Sequence, residues 1–483
     1  DTFQLAEKKH NELFTEFFQD NSKRVKKQMA THVRVIVGNP PYSIGQKSAN
    51  DNAQNLSYPA LERRIEDTYV KKSSAALLKG IYDSYIKAFR WASDRLNPNE
   101  GGIIAFITNS GWLDKPMGEG FRRTIEQEFS KIYVFDLRGA VRAKTKENAR
   151  KEGGNVFNIM TGVAITILVK CPAHQKKDKC EILYRNIGDY LTREQKLKMI
   201  KDFRSITSQK MGWQVISPNK KADWINQRDG VFDSLIPLAP EKKFSLNAQS
   251  VFNTYAIGVA TNRDAWVSGF SKEKVASNMQ SMIDFYNQQI ETNTYSEDKT
   301  KISWTRALKS YFNKALKYEF DETTFVKATY RPFTKQHLYY HRPFIECPGL
   351  WQHIYPTAQY NNLVICMSGL GSRRDYTAII SDCGVDVNYL EAGAQCFPLF
   401  WYEENKNPQA SLFDDTETKR YIRRDGITDW ILKEVRNRFG GSRTITKEHI
   451  FYYVYGLLHS NQYRKRFADD LKKSLPRIPI VDN

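Results

Sequence analysis

The residues best suited to chemistry in this sequence are Asn39, Pro40, Pro41 and Tyr42, which follow directly on an apolar run over 33–37. Asn39 offers a side-chain carbonyl and Pro40 a main-chain carbonyl. The two prolines fix the backbone so that both acceptors converge, and they bring no N–H to compete for them. Such a pair suits an amino nitrogen conjugated to a π system, whose delocalised lone pair makes it a poor nucleophile. Accepting both of its N–H bonds stabilises the positive charge that builds on nitrogen as it attacks a methyl donor, which is electrostatic stabilisation rather than general-base work. Tyr42 would stack on the flat face of such a substrate. A base in duplex DNA must first leave the helix, because its amino group is otherwise paired and stacked. Phe157, just ahead of the apolar run 162–169, is the expected aromatic on the opposite face. The plainer alternatives are a turn after a strand, which Asn and Pro favour anyway, and core packing for Phe157.

These groups need a scaffold. Four β-branched runs, 33–37, 102–108, 132–136 and 162–169, alternate with helical patterns over 78–96 and 118–129. That alternation predicts an α/β layered domain with a largely parallel sheet. No Gly-rich strand-to-helix turn precedes the runs, so the expectation is a partial Rossmann-like sheet whose N-terminal strands are missing. Residues 1–30 pattern as a helix, and the polar stretch to about Ser74 as a long loop. Beyond Cys171 the texture changes. A helix over 192–202 leads into an aromatic-rich stretch with less regular strands and helices at 271–289, 429–439 and 447–471. The expected division is an α/β domain over 1–205 and a mixed α+β domain over 206–483.

Lys and Arg number 73 against 54 Asp and Glu, a formal excess of +19, and aromatics make up 13%. Basic residues interleaved with aromatics point to a polyanion partner. Within the second domain Arg263, Arg331, Arg373 and Arg374 are the candidate DNA contacts. Arg263 and Arg331 sit among aromatics and can equally be structural, whereas Arg373 and Arg374 lie in a Gly-flanked loop. The six cysteines form no C-x-x-C pair and the eight histidines no metal-ligand spacing, so a structural zinc site, a catalytic metal and a disulfide framework are not expected. No apolar run approaches a membrane span and no secretory leader opens the chain, which predicts a cytoplasmic protein without membrane contact. A Walker-type phosphate loop is absent, and Asp415-Thr-Glu417-Thr-Lys419 lacks the flanking strands of a nuclease site.

Asn39-Pro-Pro-Tyr42 resembles motif IV of the amino-methyltransferases of DNA. Asp1-Thr-Phe3-Gln-Leu5 is similar to the segment that contacts the cofactor's adenine in that family, and Gly154-Asn-Val-Phe157 to its base-stacking segment. The second half resembles the specificity domain of type ISP restriction-modification enzymes through Gly258-Val-Ala-Thr-Asn-Arg-Asp-Ala-Trp266, Tyr330-Arg-Pro-Phe333, Cys396-Phe-Pro-Leu-Phe-Trp-Tyr402 and Tyr453-Val-Tyr-Gly-Leu-Leu-His-Ser460. The resemblance implies adenine-N6 methylation of double-stranded DNA with S-adenosylmethionine as donor. It implies Asp1, Phe3 and Asn39 at the cofactor, Asn39, Pro40, Pro41 and Tyr42 in catalysis, and Tyr42 and Phe157 sandwiching the flipped base. It also implies a target-recognition domain over 206–483, and nuclease and helicase-like domains upstream in the same polypeptide. The family's Gly-containing cofactor turn is not in this sequence, so weak activity is expected from these residues alone. Two alternatives stay open: a DNA specificity module without methylation activity, and a protein-glutamine methyltransferase, which uses the same tetrapeptide.

Overall fold

The β-branched run ahead of Asn39 becomes an edge strand. In the computed structural model, which describes residues 3, 7, 19–42, 57–75, 78–141, 146–172, 179–240, 245, 248–357, 359–370, 372, 374–405 and 420–481, the chain divides into two units, Asp1–Arg228 and Asp229–Asn483. The first holds a six-stranded sheet of β1 (Val35–Gly38), β2 (Gly102–Asn109), β3 (Lys131–Arg138), β4 (Val163–Lys170), β5 (Glu181–Asn186) and β6 (Gln214–Ile216). Their spatial order is β1-β2-β4-β3-β5-β6.

The sheet is mixed, which corrects the expectation of a largely parallel one. β1 pairs with β2 and β3 with β5 in parallel, while β4 runs antiparallel to both β2 and β3, and β6 to β5. The reason lies in the connection. β3 and β4 are consecutive and adjacent, so the chain turns back at one end of the sheet instead of crossing over it. That reversal sets Val163, the first residue of β4, opposite Asn109 and Arg138, the last residues of β2 and β3. The segment before β4 therefore lies at the edge of the sheet where β1, β2 and β3 end.

One face of the sheet packs under the helices Ser84–Arg95 and Glu119–Glu128. Their apolar stripes bury Phe89 and Phe121 against Phe106 and Trp112, with ring centroids 5.0–5.1 Å apart for Phe89–Phe106, Phe89–Phe121 and Trp112–Phe121. The polar stretch expected as a loop contains the helix Pro59–Ile65, continued by a wider turn over Glu66–Val70. Leu61, Ile65 and Tyr69 recur every four residues and are all buried, a helical stripe that the charged residues between them disguise. β1 is an apolar run in sequence, yet Val35 and Val37 are 59% and 74% exposed. They share the face of a border strand that no described element covers.

The expected domain boundary at 205 moves to 228. β6 completes the first sheet, and Trp224 packs edge-on against Trp112 at 5.5 Å. Arg122, fully buried, donates from Nε to the carbonyl of Ala222 at 2.6 Å and faces Asp223 at 3.8 Å. Burial pushes that guanidinium down to about 10, so the pairing only partly offsets its desolvation. A buried cation with these partners ties 222–224 to the first unit.

The second unit contains two four-stranded sheets. One has the order Gly384–Val385, Phe325–Arg331, Thr334–Tyr339, Ser268–Gly269; the other Ala378–Ser381, Val364–Met367, Gln395–Pro398, Ala256–Ile257. Lys272–Glu291 is its long helix, capped by the Ser271 hydroxyl on Lys274 N–H, and it buries Val275, Met279, Met282, Ile283 and Tyr286 on one stripe. The single helix expected over 447–471 is three, Lys447–His459, Asn461–Arg466 and Ala468–Lys473. Ser460, extended at ψ 123°, breaks the first and caps the second through Tyr463 N–H.

Candidate active site

β1 delivers Asn39 at the end of the sheet. Gly38, its last residue, pairs with Phe106, and a methyl group there would lie 3.3 Å from the Phe106 ring, so a larger residue would push β1 off its neighbour. Beyond it the chain leaves the sheet through Asn39, Pro40 and Pro41, of which Asn39 and Pro41 are exposed. The Tyr42 hydroxyl folds back to share its one proton between Asn39 Oδ1 at 3.2 Å and the carbonyl of Ile107 in β2 at 3.3 Å. Its ring meets Tyr85 edge-on at 6.2 Å. Burial pushes the phenol up to about 12, so it is a fixed donor at neutral pH and not a base. A carbonyl oxygen has two acceptor directions, and Tyr42 takes one at Asn39, leaving one for a ligand. Among the described residues no group donates to the Pro40 carbonyl.

Phe157 lies in the turn that enters β4, at the same edge of the sheet, and is 45% exposed. Its position is set by Asn155, which is 8% exposed. Asn155 Oδ1 accepts from Phe157 N–H at 2.9 Å and Ile159 N–H at 3.5 Å, while Nδ2 donates to the carbonyls of Thr161 at 2.7 Å and Gly139 at 3.3 Å. Gly139 adopts φ +84°, and a side chain there would lie 2.8 Å from Asn155 Nδ2. The helix Arg193–Phe203, opened by a capping box at Thr192 and Gln195, holds the turn from behind. Arg193 Nε donates to the Val156 carbonyl at 3.1 Å, and the buried Lys196 ammonium donates to the carbonyls of Leu137 and Glu152, each at 2.9 Å. Sequence reasoning missed Asn155, Arg193 and Lys196. The Asn two residues before an aromatic was a usable signal for the first. A lysine that is fully buried leaves no trace in composition.

Asp1 lies outside the described residues. Phe3 packs edge-on against Tyr58 at 5.3 Å, close to the helix start where Glu7 accepts from the N–H groups of Ala60 and Leu61 at 2.9–3.1 Å. Glu7, another residue not singled out in sequence, thereby caps Pro59–Ile65.

The arginines of the second unit separate into two kinds. Arg263 is 3% exposed, with Nη2 on the Thr305 hydroxyl at 2.7 Å and its guanidinium carbon 5.9 Å from the Phe344 ring centroid, while Nε and Nη1 have no hydrogen-bond partner among the described residues. Burial pushes this guanidinium down to about 10. In this conformation the guanidinium is turned into the unit, towards Thr305 and Phe344, which favours the structural alternative over a DNA contact. Arg331 stacks on Tyr330 at 3.9 Å and donates to Asp386 at 2.7 Å, which leaves it partly exposed but committed to a structural pair. Arg374 is exposed, on a loop tied down by Glu391, which accepts from Arg374 N–H at 2.9 Å and the Ser372 hydroxyl at 2.8 Å. Arg373 and the Asp415–Lys419 stretch lie outside the described residues. No described helix is long and apolar enough to cross a membrane.

Comparison with known proteins matches the two units to two families. Residues 2–140 match the Eco57I restriction-modification methylase family, and residues 250–483 match the Type ISP C-terminal specificity domain. Among solved structures, the ATP-dependent Type ISP restriction-modification enzyme LlaBIII bound to DNA is 37% identical with a TM-score of 0.85, covering 100% of this chain and 30% of LlaBIII. A nuclease-deletion mutant of the Type ISP enzyme LlaGI with a DNA substrate mimic is 38% identical with a TM-score of 0.80, covering 100% of this chain and 36% of the other. A DrdV–DNA complex is 31% identical over 96% of this chain and 44% of that one, with a TM-score of 0.79. No curated protein sequence matches. This chain thus spans about a third of the length of the two Type ISP structures, joins a methylase-type segment to a specificity domain, and belongs to the Type ISP restriction-modification enzymes.

Proposed function

We propose that this chain carries the methyl-acceptor pocket and target-recognition domain of an enzyme that methylates adenine N6 in duplex DNA after flipping the base. The observation that carries the reading is that a Tyr42-bonded Asn39 carbonyl, a Pro40 carbonyl to which no described residue donates and an exposed Phe157 all belong to segments at the end of the sheet where β1, β2 and β3 finish. β1 to β4 are then part of a Rossmann-like methyltransferase sheet. The first unit, up to Arg228, is the catalytic one and the second reads DNA. The similarity to Type ISP structures bound to DNA supports a duplex as partner, with nuclease and helicase-like domains in the same cytoplasmic polypeptide.

The residues present fit a methyl donor. Asn39 and Pro40 supply acceptors and Tyr42 a donor fixed by burial, so the tetrapeptide holds neither a nucleophile nor a base. Phe3, with its ring held against Tyr58, is the described residue that would contact the cofactor's adenine, and Asn39 would border its reactive end. S-adenosylmethionine, when bound there, supplies an electrophilic methyl group. Asn39 Oδ1 and Pro40 O accept the two N–H bonds of the adenine amino group and draw its lone pair towards the donor. As the nitrogen becomes cationic both hydrogen bonds become charge-assisted, so they strengthen where the barrier is highest. The Tyr42 hydroxyl keeps the Asn39 carbonyl from rotating away. Phe157 closes on the base and excludes water, and the surplus proton passes to solvent once the methyl group has transferred.

The test is transfer of a labelled methyl group to plasmid DNA by the protein expressed from its complete gene, followed by digestion to nucleosides. Label in N6-methyl-2′-deoxyadenosine is the expected result. Label in cytosine, or in protein and not in DNA, would overturn the reading.

A further inference from the structure

Phe333 is 93% exposed, more than any other large apolar residue among those described, and it stands alone at the tip of a β-hairpin. The hairpin joins Phe325–Arg331 to Thr334–Tyr339, with Arg331 paired to Thr334, so Pro332 and Phe333 form the entire loop. Phe333 adopts φ +63°. A proline followed by a positive-φ residue is the pattern of a type II turn, whose second central position is the natural place for glycine or asparagine. A phenylalanine there is unfavourable twice over. Its Cβ crowds the backbone in the left-handed region, and its ring lies in water. Gly at this position would relieve both.

The tip is also held rigidly. Arg331 stacks on Tyr330 and is bonded to Asp386, the Tyr330 hydroxyl donates to Asp264 at 3.3 Å, and Lys335 pairs with Asp382 at 2.7 Å. The ladder shifts register between Thr329 and Arg331, which re-aims the strand just before the loop. Backbone strain kept by a surrounding network, at a point that presents a ring to solvent, marks a contact and not a packing need. The Pro332-Phe333 tip is narrow and apolar, and the protein that carries it has a net charge of +19.

We propose that Phe333 is a DNA contact that inserts its ring against a base step of the bound duplex. Side chains that wedge or stack on bases are apolar or aromatic and project from rigid supports, and the net positive charge of the chain supplies the sequence-independent attraction that brings them to the groove. The inference rests on the reading of the second unit as a DNA-binding one. Arg331, expected from sequence as the contact in this segment, becomes the support, and its neighbour two residues on makes the contact.

The test measures duplex affinity by fluorescence anisotropy across a salt series, with thermal melting in parallel, for Phe333→Gly, Phe333→Ala and Phe333→Trp. For the Gly and Ala variants the expected result is affinity lower by about tenfold at every salt concentration, which is the loss of one stacked ring. The slope of affinity against salt should be unchanged, because no charge has been removed. Phe333→Gly should melt no lower than wild type, and Phe333→Trp should keep most of the affinity. Affinities of the Gly and Ala variants within twofold of wild type would overturn the role of Phe333 and leave DNA binding standing. Loss of self-association with duplex affinity intact would overturn it in favour of a protein contact. Absence of duplex binding by the wild type at any salt would remove the DNA reading itself, and this inference with it.

Discussion

Replacing Asn155 with alanine should loosen the turn that carries Phe157 without unfolding the unit around it. The substitution removes two short hydrogen bonds, 2.9 Å from Phe157 N–H and 2.7 Å to the Thr161 carbonyl, and two long ones of 3.3 and 3.5 Å. The long pair contributes little. Each short bond is worth about 1–1.5 kcal/mol net at a site this enclosed, so the expected loss is about 2–3 kcal/mol. For a unit of this size that corresponds to a fall in melting temperature of about 5–10 °C. The bonds from Arg193 and Lys196 to Val156, Glu152 and Leu137 remain, so the segment stays attached while its tip loses definition. Asn155→Asp should be worse than Asn155→Ala, because it aims a second acceptor at the Gly139 and Thr161 carbonyls. Urea or thermal unfolding gives the stability. Single-turnover methyl transfer beside duplex affinity gives the function, with the rate expected to fall by at least about tenfold and affinity to change little. A stability change below about 0.5 kcal/mol, or an unaltered rate, would refute the claim that Asn155 positions Phe157.

Arg263→Met should leave duplex affinity within about twofold and shift stability by less than about 1 kcal/mol in either direction, since it replaces a buried and under-bonded cation by an apolar chain of similar length. Arg374→Ala should instead weaken binding and lower the salt slope by about one, and the opposite ranking of the two variants would reverse their assigned roles. Burial raises the Asp136 carboxyl above its ordinary range, despite hydrogen bonds from Arg138 N–H at 2.9 Å and the Tyr184 hydroxyl at 3.1 Å. The folded protein thus holds that proton more tightly than the unfolded chain, and wild-type stability declines as pH rises from about 4 through the raised value. Asp136→Asn removes this titration, so its stability relative to wild type should improve from pH 4 to pH 7 in urea unfolding. A difference independent of pH would contradict the burial argument.

The strands that support the site were legible because β-branched runs ended by Gly or charge survive in any context, and all four expected runs overlap β1 to β4. Their directions were not legible. Nothing local to 162–169 says that it inserts between β2 and β3 and reverses the pattern, since that depends on the path of residues 139–162. The helix at Pro59–Ile65 escaped notice because Leu61, Ile65 and Tyr69 are spread among charges. Asn39 to Tyr42 stood out through residue types alone, but the Tyr42 bond to Asn39 did not. The sequence suggested a stacking tyrosine, whereas the structure shows its hydroxyl bonded to the Asn39 carbonyl. Arg263 and Phe333 show the same limit from opposite sides. An arginine among polar residues proved buried, and a phenylalanine among aromatics proved bare.

The role proposed for Asn39 is to hold an adenine amino group for methylation at a sequence the second unit selects. It is tested most directly by modified-base sequencing of DNA from cells expressing the complete gene, beside an Asn39→Ala version. N6-methyladenine at one short motif in the first culture and none in the second is the expected result. Methylation that persists in the Asn39→Ala culture would contradict the role given to that carbonyl, and no modified adenine in either culture would contradict the reaction itself.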